Sequence, residues 1–293
     1  MTSTPPFGRA LCAMITPFTG DGARLDLDAA AALAVRLVSG GCDGLVLNGT
    51  TGESPTTSDA EKTTLVRAVR EAVGDGVPLI AGVGTADTRH TVELARAAEG
   101  AGADGLLVVT PYYSRPPQAA VAAHFRRVAD AVGVPVMLYD IPGRTGTRIE
   151  RETMLGLADH PGIVAVKDCT GDLLTAAEVI AGTSLAYYSG NEELNLPLYA
   201  VGGTGYVSTV ANVAPAPLRA VLDAFDRGDT AGAARLNARL MPLARALMAA
   251  GLPGTVTVKA LLDAGPVREP LLPAGRETAD GLREALAALD ATG

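Results

Sequence analysis

Residues 162–171 have the sequence GIVAVKDCTG, in which an apolar run of strand length ends in Lys167 and is followed by Asp168 and a Thr-Gly turn. A strand buried on both faces of a parallel sheet has a continuous Val/Ile run of this kind. A cation at the end of such a strand either reaches solvent or belongs to a site. The neighbouring parts of the chain distinguish these two interpretations.

Seven further apolar runs of similar length recur along the chain, at residues 12–16, 44–48, 79–82, 105–110, 134–139, 185–189 and 205–208. Segments with helical spacing lie between them, for example at residues 28–39, 59–73, 88–101 and 118–132. Alternation of strand and helix predicts a parallel sheet. Eight such units favour a closed barrel, because an open doubly wound sheet more often has fewer strands and a glycine fingerprint. The predicted fold class is α/β, a (β/α)8 TIM barrel.

The alternation stops near residue 229, and residues 230–250, 254–264 and 275–291 have helical patterns only. We therefore expect a barrel that carries the active site over residues 1–228 and an appended C-terminal helical region over residues 229–293. Ser58 is followed three residues later by Glu61, which predicts a capping box at a helix start. The loop before this cap should then lie at the carboxyl end of a strand.

The composition excludes several classes of protein. The 293 residues are 48% hydrophobic, which allows a large core, and the net charge is −8 without any run of Lys or Arg. We therefore expect no nucleic-acid partner. No apolar run reaches the ~18 residues of a membrane span, and residues 1–9 have no signal-like apolar core, so we expect a cytoplasmic protein without membrane contact. Cys12, Cys42 and Cys169 are odd in number and far apart, which favours reduced thiols.

Motifs for cofactors and metals are missing from the sequence. Residues 82–87, GVGTAD, fail the dinucleotide fingerprint at its last position, and the chain has no phosphate-binding P-loop motif. His90, His124 and His160 are isolated from one another and lack metal-ligand spacing to carboxylates. We therefore expect neither a metal nor an organic cofactor.

Polar residues follow several predicted strands. GTTGES occupies residues 49–54, TPYY occupies 110–113, and YDIPGRTG occupies 139–146. In a barrel these positions converge at one mouth, where active sites are built. The glycines and hydroxyls of the first motif could hold a carboxylate, although the motif alone is equally typical of a structural turn. Three of the seven tyrosines fall on the other two strand ends.

Lys167 acquires a chemical role at such a mouth. Most lysines are solvated surface cations, but an ammonium desolvated by barrel side chains has a lowered pKa and becomes a neutral nucleophile. A neutral amine attacks a carbonyl and forms a Schiff base. The iminium withdraws electrons from the neighbouring carbon, so that carbon can lose a proton and attack an aldehyde, and a nearby phenol can carry the proton.

Six motifs in order resemble the dihydrodipicolinate synthase and N-acetylneuraminate lyase superfamily over essentially the whole chain: GTTGES (49–54), TPYY (110–113), YDIPGRTG (139–146), VKDCTG (166–171), YYSGNE (187–192) and GGTGYVS (202–208). The resemblance implies a class I pyruvate lyase on a (β/α)8 barrel, with Lys167 as the Schiff-base lysine. It implies Tyr139 as the acid/base beside the imine, with Thr50 and Tyr113 completing a proton relay.

The substrate pocket is also implied by the resemblance. Thr51 would hold the pyruvate carboxylate, with Gly190 and the carbonyl of Val207 lining the same pocket. Arg144 would bind the carboxylate of the second substrate, for which a planar bidentate donor suits better than lysine. The P-x-R-T-G pattern around Arg144 is similar to the synthases that use aspartate semialdehyde, whereas the sugar-acid lyases carry other residues there. The implied reaction condenses pyruvate with aspartate 4-semialdehyde, in diaminopimelate and lysine biosynthesis.

The resemblance also bears on assembly and regulation. Members are usually homotetramers built from tight dimers, in which a tyrosine of the Tyr112–Tyr113 pair crosses into the neighbouring site. Asp140 stands where many members have asparagine. Members inhibited by lysine tend to carry Asn and Glu at the positions of Ala86 and His90, so we expect weak or absent inhibition by lysine here.

Two alternatives remain open at the level of sequence. The first is another pyruvate-dependent aldolase, or a dehydratase acting on a sugar acid, because either would form the same lysine adduct. The second is a non-catalytic barrel that binds a keto acid. Against the second stands the complete set of Lys167, Tyr139, Tyr113, Thr50 and Arg144.

Overall fold

A computed structural model describes residues 5–248 and 251–291 of the chain. Ten strands lie in these ranges: β1 (Ala10–Ala13), β2 (Phe18–Thr19), β3 (Arg24–Leu25), β4 (Gly44–Leu47), β5 (Leu79–Gly82), β6 (Gly105–Val109), β7 (Val136–Asp140), β8 (Ile163–Asp168), β9 (Ala186–Ser189) and β10 (Gly205–Ser208). Eight of them pair in parallel in the order β1-β10-β9-β8-β7-β6-β5-β4, and β4 closes the barrel onto β1. The predicted TIM barrel is confirmed.

Helices follow the barrel strands and surround them. They are α1 (Leu27–Ser39), α2 (Asp59–Val73), α3 (Thr88–Gly100), α4 (Gln118–Ala129), α5 (Pro142–Thr145), α6 (Arg151–Leu157), α7 (Leu173–Gly182), α8 (Asn195–Ala200), α9 (Pro215–Asp226), α10 (Thr230–Met248), α11 (Gly254–Leu262) and α12 (Arg276–Ala291). The capping box at α2 is present: Ser58 Oγ accepts the Glu61 N–H at 3.2 Å, and Glu61 Oε2 accepts the Ser58 N–H at 2.8 Å. This cap fixes where α2 begins, and so the loop between β4 and α2 lies at the carboxyl end of β4.

The prediction for the first strand, residues 12–16, was wrong at its boundaries. The strand begins at Ala10 and ends at Ala13. Met14 N–H still bonds Val46 O at 3.0 Å, but Ile15 N–H turns to the side-chain oxygen of Asn212 at 3.1 Å. A side chain almost two hundred residues away therefore ends the ladder. The antiparallel hairpin of β2 and β3, which follows β1, was not predicted.

The C-terminal helices α10 to α12 lie within the segments predicted to be helical. Residues 249 and 250 of the first segment fall outside the described residues, as do residues 1–4 and 292–293. Leu243 of α10 and Leu282 of α12 belong to the same buried cluster as Leu222 of α9. The division into a barrel over 1–228 and a helical region over 229–293 stays a prediction, and the two parts share one apolar core.

Side chains alternate along each barrel strand between the inside of the barrel and the layer beneath the helices. On β8, Ala165 packs in the inner cluster, whereas Val166 packs in the outer one. Lys167 on β8 and Tyr139 on β7 are register partners. The alternation places the side chains of both residues inside the barrel. The side chains of the next register pair, Asp140 and Asp168, point toward the helix layer. The strand period therefore places a lysine and a tyrosine together inside the barrel near its carboxyl end.

Candidate active site

Lys167 lies inside the barrel, at the carboxyl end of β8. Its side chain is only 6% exposed, and its Nζ is 4.4 Å from the centroid of the Tyr139 ring. Burial lowers the pKa of the Lys167 ammonium, and the positive charge of Arg144 acts in the same direction. Cys169 and Glu192 oppose the shift. The larger effect is burial, so the free amine is more populated than on a solvated lysine.

Tyr139 presents its ring to the lysine and keeps its phenol proton. Burial raises the pKa of Tyr139 well above its usual value, and Cys169 adds to this shift. A hydrogen bond to the side chain of Thr50 and the charge of Arg144 act in the opposite direction. A neutral phenol next to an amine can donate a proton to an oxygen that forms there, and can take one back later.

A cavity of about 990 Å³ opens above Tyr139 at the carboxyl end of the barrel. Thr50, Tyr139, Arg144, Tyr112 and Tyr113 all line it. Arg144 lies on the short helix α5 and its side chain is exposed to the cavity, without a salt bridge to any carboxylate in the described part of the chain. A planar guanidinium at the mouth is suited to bind the carboxylate of an entering substrate.

Tyr113 is placed differently from the other predicted site residues. It is 95% exposed, its backbone has a φ of 73°, and Tyr112 beside it is 41% exposed. Among the described residues no hydrogen bond joins the Tyr113 hydroxyl to Tyr139 or Thr50. A single protomer thus contains the Thr50–Tyr139 part of the predicted relay and leaves Tyr113 at the rim.

Thr51, Gly190 and Val207 are not among the residues that line this cavity. Thr51 is 8% exposed and its Oγ1 is 2.9 Å from Thr209 Oγ1. Val207 is 1% exposed and packs inside the barrel. At Gly190 an added Cβ would lie 2.8 Å from Lys167 Cε, so glycine at this position leaves the room that the lysine side chain occupies.

Cys169 and Glu192 were not predicted as site residues. Cys169 follows Lys167 by two positions on the inner face, and its Sγ donates to Gly190 O at 3.1 Å. Glu192 is 6% exposed, accepts N–H groups of Thr209 and Val210, and attracts the Lys167 ammonium electrostatically. Alternation along β8 could have indicated Cys169. Nothing local in the sequence places Glu192 against β10.

Within residues 5–248 and 251–291, no three His, Cys, Asp or Glu side chains lie close enough together to hold a metal ion. His90 and His160 each pair with one carboxylate, Asp59 at 2.9 Å and Asp130 at 3.0 Å. None of the helices in these ranges has the length and apolar character needed to cross a membrane.

Comparison with known proteins gives one consistent result. The model of the dihydrodipicolinate synthetase (DHDPS) family matches residues 6–289. The 4-hydroxy-tetrahydrodipicolinate synthase 1 of Streptomyces coelicolor is 70% identical over 98% of this chain and 95% of its own length, and the 4-hydroxy-tetrahydrodipicolinate synthase of Acidothermus cellulolyticus is 57% identical over 97% and 92%. A DHDPS from Cyanidioschyzon merolae, solved with lysine bound, superposes with a TM-score of 0.94 at 37% identity, covering 97% of this chain and 99% of the other.

Proposed function

The chain belongs to the dihydrodipicolinate synthetase family, and from this premise we propose that Lys167 forms the Schiff base in the condensation of pyruvate with aspartate 4-semialdehyde. The enzyme is a class I lyase that yields 4-hydroxy-tetrahydrodipicolinate, for diaminopimelate and lysine biosynthesis. The observation that supports the role of Lys167 is its position: a buried amine with a lowered pKa, 4.4 Å from the ring of Tyr139, which itself lines an open cavity.

The reaction begins at the carbonyl carbon of pyruvate. The neutral Lys167 amine adds to this carbon, and the carbinolamine loses water to give the imine. The Tyr139 hydroxyl supplies the proton that the departing oxygen needs, with Thr50 beside it as the next hydroxyl of the relay. Thr51, Gly190 and Val207 hold the pyruvate carboxylate end, which keeps the carbonyl within reach of the amine.

Carbon–carbon bond formation follows from the imine. Tyr139, which has given its proton to the departing water, takes a proton from the methyl group to give the enamine. The enamine carbon attacks the aldehyde of aspartate semialdehyde, and Tyr139 returns its proton to the aldehyde oxygen, which becomes the hydroxyl of the product. Arg144 holds the carboxylate of this second substrate at the mouth. The amino group of the second substrate then attacks the imine carbon and displaces Lys167, which closes the ring and restores the free enzyme. The reaction needs no cofactor.

The assembly is part of the proposal. We propose a homotetramer built from tight dimers, in which Tyr113 of one protomer completes the relay of its neighbour. The 95% exposure of Tyr113 at a strained backbone position supports an exchange of this loop. Leu174 at 75% and Val201 at 42% are further exposed apolar side chains. Light scattering at micromolar concentration should give the tetramer mass, and a monomer mass would contradict this assembly.

We also propose a cytoplasmic location and small-molecule substrates only. The cysteines Cys12, Cys42 and Cys169 are free thiols, as expected in a reducing compartment.

Borohydride reduction in the presence of pyruvate tests the role of Lys167. The chain has only three lysines, Lys62, Lys167 and Lys259, so peptide mapping after reduction assigns the adduct without ambiguity. We expect the adduct on Lys167 and its loss in Lys167→Ala. Lys62→Ala is the matched control, because Lys62 also lines the cavity and its removal should leave the adduct in place. Equal trapping in Lys167→Ala would contradict the assignment.

Arg144→Ala separates substrate binding from imine chemistry. The variant should trap pyruvate like the wild type, because Arg144 lies above the imine, but a coupled assay with aspartate semialdehyde should show a loss of turnover of at least about 100-fold. Turnover of aspartate semialdehyde that Arg144→Ala leaves unchanged would contradict the binding role of Arg144, whereas wild-type enzyme without turnover of this aldehyde would favour a different second substrate, such as a sugar acid.

A further inference from the structure

Glu53 is a buried carboxylate in the loop that carries Thr50 and Thr51. Its side chain is 1% exposed, and its backbone has a φ of 56°, a left-handed conformation that is uncommon outside glycine. Both of its oxygens are bound by residues of the C-terminal region. Lys259 Nζ donates to Oε1 at 2.5 Å, and the Arg268 N–H donates to Oε2 at 2.8 Å.

Lys259 lies on α11 and is as deeply buried as its partner. Its side chain is 2% exposed, its Nζ also donates to Pro266 O at 2.8 Å, and it lies 4.1 Å from the centroid of the Phe18 ring. Taking two charges out of water costs free energy that their attraction offsets only in good geometry, so such a pair is weak evidence for stability. Its better-supported use is to fix one geometry among several.

The same face of α11 also holds the backbone next to Glu53. Thr255, one turn before Lys259, donates its hydroxyl to Thr51 O at 3.0 Å. From the barrel side, Thr16 Oγ1 donates to Gly52 O at 2.7 Å. Thr51, Gly52 and Glu53 therefore each accept a hydrogen bond from a residue outside the loop. Among residues 50–53 only Thr50 keeps an exposed side chain, and that side chain lines the cavity.

We propose that Glu53 and Lys259 are positioning residues for the reaction: their buried ion pair, together with Thr255, holds the loop so that Thr50 meets Tyr139 and Thr51 faces the pyruvate carboxylate. On this reasoning the C-terminal region contributes to the geometry of the active site. The inference rests on the proposed function, specifically on the roles given there to Thr50 and Thr51.

Three variants of the full-length enzyme test the inference: Glu53→Gln, Lys259→Met and the double variant that carries both. We expect kcat to fall about 10- to 100-fold in each, because displacing a catalytic hydroxyl by about 1 Å has an effect of that order. KM for pyruvate should rise as Thr51 shifts. The double variant leaves no uncompensated buried charge, so it keeps the test valid if a single variant does not fold.

A control and a double-mutant cycle separate positioning from mere stability. Arg219→Met removes the partner of Asp43 and Asp223 at the amino end of the barrel, and should lower the melting temperature without changing kcat. Combining Glu53→Gln with Thr50→Val should give no further loss of kcat beyond that of Thr50→Val alone, because Glu53 acts through Thr50.

The inference is overturned if Glu53→Gln, Lys259→Met or their double variant melts earlier but keeps kcat within twofold of the wild type. It is also overturned if the losses from Glu53→Gln and Thr50→Val multiply. Failure of the proposed function gives a different result, because wild-type enzyme would then trap no pyruvate on Lys167.

Discussion

Asp140 is a carboxylate buried just outside the barrel wall, one residue after Tyr139 on β7. It is 2% exposed, and its register partner on β8 is Asp168. Its Oδ2 accepts the Ile149 N–H at 3.1 Å, whereas its Oδ1 has no hydrogen-bond partner among the described residues. Burial, supported by the negative charge of Asp168, raises the pKa of Asp140 from 3.8 to about 7, although the Ile149 N–H and Arg148 act against the shift.

The raised pKa has a defined consequence for stability. Because the folded state holds the proton more tightly than the unfolded state, the contribution of Asp140 is fully present below about pH 4 and is lost as pH rises to about 7. A shift from 3.8 to about 7, at 1.36 kcal/mol per unit, corresponds to about 4 kcal/mol. Above about pH 7 the free energy of unfolding is lower by this full amount.

The substitution Asp140→Asn removes the titrating carboxyl group and keeps the size and shape of the side chain. The amide oxygen can accept the Ile149 N–H, and the uncharged amide nitrogen takes the place of the unpartnered Oδ1. We expect the variant to gain stability over the wild type by about 1.4 kcal/mol for each pH unit between pH 4 and pH 7, with a constant gap above pH 7.

Thermal unfolding of both proteins between pH 5 and pH 8.5 measures this gap. Between pH 5 and pH 7 the difference should grow by about 3 kcal/mol, or about 5 °C or more in melting temperature for a chain of this size. Asp75→Asn removes one exposed carboxylate and serves as the control for net charge. A gap that stays constant from pH 5 to pH 8.5, or a variant less stable than the wild type at pH 8, would refute the reasoning.

Three further outcomes are expected. Gly190→Ala should slow borohydride trapping of pyruvate at least about 10-fold, because the new Cβ would lie 2.4 Å from Cys169 Sγ and 2.8 Å from Lys167 Cε; an unchanged trapping rate would show that these side chains move aside at no cost. Ser58→Ala should lower the free energy of unfolding by about 1 kcal/mol in denaturant titration, without affecting trapping, because it removes the capping box of α2. Low millimolar L-lysine should leave initial rates almost unchanged, since Ala86 and His90 stand where the resemblance associates Asn and Glu with lysine inhibition; marked inhibition would contradict this.

The amino-acid sequence by itself determined the architecture and the place of Lys167 at the end of its strand. Apolar runs of strand length alternate with helical segments, and this periodicity is a local property that needs no knowledge of distant contacts. The bounds of β5 and β10, and those of α2, agree with the predicted segments because turn and capping residues mark them locally. The placement of Lys167 at the end of an apolar strand was likewise evident from neighbouring residues.

Only the tertiary structure decided how distant residues meet. The first strand ends where Asn212 captures the N–H of Ile15, and Glu53 finds its cation 206 positions away in Lys259. The unpartnered oxygen of Asp140 is likewise apparent only once β7 and β8 are paired. Periodicity records which face of an element is apolar, whereas these contacts depend on which faces the closed barrel brings together, and that is a property of the packed chain as a whole.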